Sequence, residues 1–271
     1  MNRTEVIKEY AKRDTIGDNS ILYALIRCLP ADEATCLLLE SIPGDLLLRN
    51  AALKIVLEYA SENWSELFEN LVDKIIEQFS VLPSNRKAAH FYCLGEFAEI
   101  APSKTKNKII LYLLNSKFAL ARRKGLKLIQ PTEVNLYKQQ IESCVWNHEE
   151  FEALKIMVSF YPEGYLYENR SKLKELIQEK WLLGRLFLRI STVYPDCINE
   201  LSIIDLVTYA YVKAKLGIHL SKEEVENLIE TYHLSDRFGL VIWALGKLGY
   251  WDDLIYISDQ YEKWIAEKYR S

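Results

Sequence analysis

Prolines recur at Pro102, Pro131, Pro162 and Pro195, roughly thirty residues apart, and each closes an apolar run of helical period. The runs read RKAAHFYCLGEFAEIAP (86–102), ALARRKGLKLIQP (119–131), EEFEALKIMVSFYP (149–162) and WLLGRLFLRISTVYP (181–195). Proline lacks the N–H that an α-helix needs and its ring collides with the preceding turn, so each marks a helix stop. Regular stops imply a repeated unit. A unit this short cannot bury its apolar face alone and must stack on copies of itself.

Between each proline and the next run lies a more polar segment, such as SKTKNKIILYLLNSK (103–117) or TEVNLYKQQIESCVW (132–146). Ser103 and Thr132 stand where an N-cap hydroxyl would accept from the first free backbone N–H groups. The expected unit is therefore proline, capped first helix, short turn, second helix. Extending that register predicts helix pairs at about 31–60, 63–101, 103–130, 132–161, 163–194, 197–233 and 235–270, with 2–29 as an N-terminal cap. The 197–233 unit is the least regular, because Gly217 and the IHLSKEE turn interrupt it. With 10 glycines and 7 prolines in 271 residues and no low-complexity linker, the chain reads as all-α and as one continuous array, 1–271.

Two second helices share more than a period. Arg86 precedes Leu94-Gly95 and Arg237 precedes Leu245-Gly246 at the same spacing, and the 45–60 segment carries Arg49-Asn50-Ala51-Ala52-Leu53 without the glycine. This pattern resembles the second helix of HEAT repeats. The resemblance implies a right-handed α-α superhelix of about seven helix pairs whose second helices line a concave surface. Small residues on the inner face let neighbouring helices approach closely. HEAT arrays serve adaptors, regulators and a few DNA glycosylases, so the fold does not select a function.

Motifs for chemistry are absent from the sequence: there is no GxGxxG, phosphate loop, GxSxG or HExxH. His90 and Cys93 share a helix face three residues apart, but their helix is apolar almost all round, so packing explains both. Trp146 with Glu150 and Trp181 with Arg185 place an aromatic and an ion on one face, as in HEAT-like alkylpurine DNA glycosylases. The Trp-Asp-rich segment of those enzymes has no clear counterpart beyond Trp251-Asp252-Asp253. Cys28, Cys36, Cys93, Cys144 and Cys197 are scattered singly, which predicts core thiols in a reducing cytoplasm and neither a disulfide framework nor a metal site. No cofactor is expected. The N-terminal MNRTEVIKEYAKRD lacks a signal-peptide apolar stretch, and no run is long enough to span a bilayer.

Charge is the strongest local anomaly. Between Ser103 and Lys127 lie eight basic residues and no acidic one, on a chain of net charge −4. A helical wheel puts Arg123, Lys124 and Lys127 together opposite Ala121, Gly125 and Leu128. With Arg122, Arg185 and Arg189 they form a candidate basic groove on the second helices. Opposing it is a candidate acidic stripe of Glu62, Glu66, Glu69, Asp73 and Glu77 on the helix expected at 63–80. These features predict a non-enzymatic protein-interaction module, an adaptor, regulator or immunity-type inhibitor, binding another protein on the second-helix surface or the acidic stripe. The alternative is a nucleic-acid-binding or processing protein that holds phosphates on the basic groove.

Overall fold

A computed structural model describes residues 2–13, 19–44, 46–79 and 87–268. Among them are seventeen α-helices and no strand, so the protein is all-α. Arg86 and Asp45, which open two of the second-helix patterns, and residues 14–18 of the expected cap lie outside the described residues. Contacts divide the chain into two compact units, 1–153 and 154–271.

In the first unit the helices alternate in pairs: α1 (Arg3–Arg13) with α2 (Asn19–Arg27), α3 (Ala31–Ser41) with α4 (Leu46–Glu62), α5 (Glu66–Gln78) with α6 (Lys87–Ile100), and α7 (Ser103–Leu114) with α8 (Ala119–Leu128). A 3-10 turn, Pro131–Tyr137, then leads into α9 (Lys138–Trp146). The second helices pack in sequence, α2 on α4, α4 on α6 and α6 on α8, while α3 meets α5 and α7 meets α9. Two layers result. Residues such as Leu53, Ile55 and Val56 on α4 and Phe91, Leu94 and Phe97 on α6 are removed from water between them. Truncating any one such side chain to alanine costs about 2–5 kcal/mol.

The second unit begins within α10 (Phe151–Phe160) and continues through α11 (Glu163–Leu176) and α12 (Lys180–Ser191). A 3-10 turn, Pro195–Ile198, precedes α13 (Asn199–Ile204), followed by α14 (Leu206–Leu216), α15 (Lys222–Tyr232), α16 (Phe238–Leu248) and α17 (Trp251–Lys268). Here the second helices are α12, α14 and α16, each packed on the next. The expected 197–233 pair divides differently: its residues form α13 and α14 of one pair and α15, the first helix of the next, so that α16 pairs with α15 and α17 is left over. The breaks responsible are Asp205, extended at φ −160° and capping α14, and Gly217, which ends α14 in the left-handed region at φ 71°.

The expected caps also shift. Pro102 and Pro162 end one helix and, at ψ 152° and 146°, directly cap the next, which leaves Ser103 inside α7 without a capping bond. Thr132 lies in the 3-10 turn, where the Gln130 N–H instead donates to Glu133 Oε2 at 3.0 Å. Side-chain caps with the backbone donor in place include Asn2, accepting from Thr4 N–H at 3.4 Å, Asp205, accepting from Thr208 N–H at 2.8 Å, and Ser221, accepting from Glu224 N–H at 3.1 Å.

Polar links recur at the repeat interval. The hydroxyls of Tyr59, Tyr137 and Tyr250 donate to Leu29 O, Asn107 Oδ1 and Leu220 O respectively, each thirty residues earlier. Ion pairs Lys8–Glu40, Arg27–Glu58, Lys106–Glu133 and Arg170–Glu200 join one repeat to the next at separations of 32, 31, 27 and 30 residues. Partly exposed pairs contribute at most about 1 kcal/mol each, so their main effect is to fix the register of one pair on the next.

Candidate partner surface on the second helices

In the second unit three helices present the same two side-chain types, one turn apart. Trp181 and Arg185 stand on α12, Tyr211 and Lys215 on α14, Trp243 and Lys247 on α16. A four-residue spacing puts each aromatic and its cation on one helix face. Trp181 is 52% exposed and Trp243 38%, with Tyr211 half-buried between them, and all three cations are exposed. The Tyr211 and Trp243 rings lie 5.3 Å apart, and Lys215 Nζ sits 5.1 Å from the centre of Trp243 and 5.6 Å from that of Tyr211. None of Arg185, Lys215 and Lys247 has a carboxylate partner among the described residues.

Gly184 makes a depression in this face. It is buried, and a Cβ there would stand 3.2 Å from Thr208 Cγ2, so the absence of a side chain lets α14 approach α12 and leaves a groove of about 380 Å³. Trp181, Tyr211 and Leu240 form its apolar walls, with Lys180 and Arg237 at its edge. Beneath it the Asp205 carboxylate accepts from Arg237 Nη1 at 2.6 Å and lies 3.4 Å from Lys180 Nζ. Burial raises the Asp205 pKa, but the Arg237 and Thr208 hydrogen bonds outweigh it and hold the carboxyl below its ordinary value. Asp205 is thus committed as a helix cap and an ion-pair partner.

The first unit has a wider, more polar groove of about 590 Å³ across α2, α4 and α6. Lys54 Nζ lies 4.5 Å from the centre of the Tyr23 ring. Tyr92, 48% exposed, is approached by Lys124 Nζ at 5.5 Å. The Lys124 stem lies across Gly95, where a Cβ would fall 2.0 Å from Lys124 Cε, and its ammonium donates to Glu96 at 3.3 Å.

The sequence-predicted basic groove is largely consumed by ion pairs. Arg122, expected at the surface, is only 6% exposed: its Nη2 donates to Glu150 Oε1 at 2.7 Å and its Nη1 to Ser116 O at 3.0 Å. The physical reason is its position beside Ala121, on the face of α8 that packs inward, where a buried arginine needs a buried carboxylate. Arg123 is exposed and reaches the other oxygen of Glu150 at 3.0 Å. Lys106 and Lys108 pair with Glu133 and Asp73, and Lys124 with Glu96. Arg189 is also structural, donating to Glu163 and, at 2.8 Å each, to the carbonyls of Val158 and Tyr161 at the end of α10. Lys127 and Arg185 remain exposed.

The acidic stripe divides. Glu62 ends α4, three residues intervene, and Glu66, Glu69, Asp73 and Glu77 follow on α5, so the five do not share one helix. Glu62, Glu66, Glu69 and Glu77 are exposed, and half-buried Asp73 binds Lys108. His90 and Cys93 are both buried, with neither ring nitrogen of His90 hydrogen-bonded. Burial, aided by Arg49, lowers the His90 pKa to about 4, and burial raises that of Cys93 to about 12, so the pair holds a neutral imidazole and a protonated thiol. All five cysteines are free, but Cys28 and Cys36 are exposed rather than core residues, Cys28 in the turn that follows α2 and Cys36 on the outward face of α3. The Trp251-Asp252-Asp253 string opens α17 with Trp251 65% exposed.

The sequence reading missed the aromatic and basic rows because it did not recognise α14 as a second helix. The signal was present: Trp181, Tyr211 and Trp243 occupy one phase of the repeat, and Arg185, Lys215 and Lys247 another. Among the described residues no helix is long and apolar enough to cross a membrane. The fold and this surface define an all-helical repeat protein with exposed aromatic residues on its second helices. Comparison with protein-family models, curated proteins and solved structures yields no match.

Proposed function

We propose that this chain is a non-enzymatic, HEAT-like interaction module of the cytoplasm that holds a segment of a partner protein against its second helices. The observation that carries the reading is the row of Trp181, Tyr211 and Trp243, one aromatic at the same phase of each successive second helix, with Trp181 and Trp243 exposed and Tyr211 half-buried between them. Aromatic residues supply most of the binding energy at protein interfaces, at little cost in side-chain order. Stacked helix pairs offer them on a rigid frame, so little ordering free energy is spent on association. Free thiols at five positions suit a reducing compartment.

Phosphate binding fits the geometry less well, because Arg122, Arg123, Lys124 and Arg189 already engage carboxylates. An inhibitor acting through the acidic residues would rely on α5, where Asp73 is likewise engaged. Capture on the tagged protein from nuclease-treated native lysate separates these readings. The proposal expects a protein retained after nuclease treatment and lost from the Trp181→Ser/Trp243→Ser variant. A protein that requires nucleic acid for retention, or that the variant retains equally, would overturn it.

A further inference from the structure

We infer that the occupant of the second-unit surface is an extended acidic segment with bulky apolar side chains about every third residue, lying across α12, α14 and α16. This rests on the partner-binding reading above and adds the chemistry of the partner. Each of the three helices presents an aromatic ring followed one turn later by an exposed cation, which produces an apolar row and a parallel basic row. Neighbouring packed helices lie about 8–10 Å apart. An extended chain in the polyproline II form advances about 3.1 Å per residue with about three residues per turn, so about three residues carry it from one helix to the next and every third side chain faces the surface. A side chain at each crossing meets an aromatic, and carboxylates on the intervening residues reach Arg185, Lys215 and Lys247.

The groove over Gly184 gives the first apolar side chain a defined seat between Trp181 and Tyr211, with Leu240 as a third wall. The charged side chains that line it, Lys180 and Arg237, are both cationic, and the Asp205 carboxylate they share is buried. With exposed Arg185, Lys215 and Lys247 on the same three helices, the charged side chains that line the groove and the parallel row are cationic, which favours an acidic occupant and disfavours a basic one. A single nucleic-acid strand needs open ring faces for its bases. Here Tyr211 and Trp243 pack against each other with Lys215 over both, so one face of each ring is already taken, which suits an apolar side chain better than a stacked base.

Selection of random phage-displayed peptides on the full chain tests the inference, with enriched sequences remade as fluorescein-labelled peptides and measured by anisotropy beside labelled oligothymidylate. We expect enrichment of acidic sequences with bulky apolar residues at a three-residue interval. Their affinity should fall about tenfold or more, equivalent to about 1.4 kcal/mol, both in Trp181→Ala and in the Arg185→Glu/Lys215→Glu/Lys247→Glu variant, and should weaken with added salt. All of these substitutions are at exposed positions, and circular dichroism checks that the variants remain folded. Enriched peptides with no acidic bias that still lose affinity in Trp181→Ala would overturn the acidic occupant while leaving the second-helix reading intact. Peptides indifferent to Trp181→Ala would overturn both. Absence of enrichment, with or without oligothymidylate binding, would overturn the peptide occupant.

Discussion

Arg237 donates to Asp205 across 2.6 Å, from the start of α16 to the start of α14 thirty-two residues earlier. The same guanidinium donates to Thr208 Oγ1 at 2.9 Å, and Asp205 itself caps α14. One carboxylate thus caps a helix, joins two repeats and holds Lys180 and Arg237, which line the aromatic groove.

Replacing Asp205 with alanine removes the cap and leaves Arg237 and Lys180 facing each other. Loss of a cap costs about 1 kcal/mol and loss of a buried charge-assisted partner about 1.5–3. Urea denaturation of Asp205→Ala at neutral pH should show a loss of about 2–4 kcal/mol, whereas Lys180→Met should cost much less. Because the folded pKa of Asp205 lies below its ordinary 3.8, its contribution is present above that value and is lost as pH falls through the lowered folded pKa. The Asp205→Ala deficit should therefore shrink in acid.

Glu150 is 3% exposed and answers two arginines, of which only Arg122 is buried. Removing one member of a buried pair costs about 3–5 kcal/mol, and an exposed one less than about 1. Glu150→Gln should therefore be severely destabilising in thermal melts and Arg123→Gln nearly neutral. Equal effects would contradict this division of roles.

Glu149 is exposed and sits at φ 51°, in the left-handed region, where the chain turns from α9 to α10. A side chain with a Cβ is disfavoured there by about 1 kcal/mol. Glu149→Gly should raise stability by a fraction of that up to about 1 kcal/mol, read as a higher urea midpoint. The turn must persist because it carries Glu150 back to Arg122.

His90 should make the fold sensitive to mild acid. Its ordinary pKa is 6.5 and its folded value about 4, lowered by burial and by Arg49, with Phe79 the aromatic ring facing it. Between those values the unfolded chain binds a proton that the folded chain does not, so stability falls as pH falls from about 6.5 toward 4. His90→Leu should flatten that slope without loss at neutral pH, since the imidazole makes no hydrogen bond. Chemical denaturation in neutral and mildly acidic buffer measures the slope, and an unchanged slope in His90→Leu would place the acid sensitivity elsewhere.

Much of the architecture was legible in the chain because the proline stops act locally: Pro102 and Pro162 cap the following helix through their own backbone angles. The register failed after Pro195, where Asp205 breaks what reads as one helix into α13 and α14 through a cap that only its partner Thr208 reveals. The site was less legible for a related reason. A run of bases looks like a groove until its carboxylates are located, and Glu150, Glu133, Glu96 and Asp73 come from neighbouring helices about one repeat away. The helical wheel placed Arg123 and Lys127 outward but gave no sign that Arg122 would be taken into the interior.

The most direct test of the account places a photo-crosslinker in the aromatic row. The full chain carrying benzoylphenylalanine at Tyr211, and separately at Glu69 on the acidic helix, would be irradiated with the partner retained from native lysate, and the adducts mapped by mass spectrometry. The account predicts adducts from position 211, absent from position 69, within a partner segment rich in aspartate, glutamate and bulky apolar residues. Adducts from position 69 alone would contradict it and move the working surface to α5.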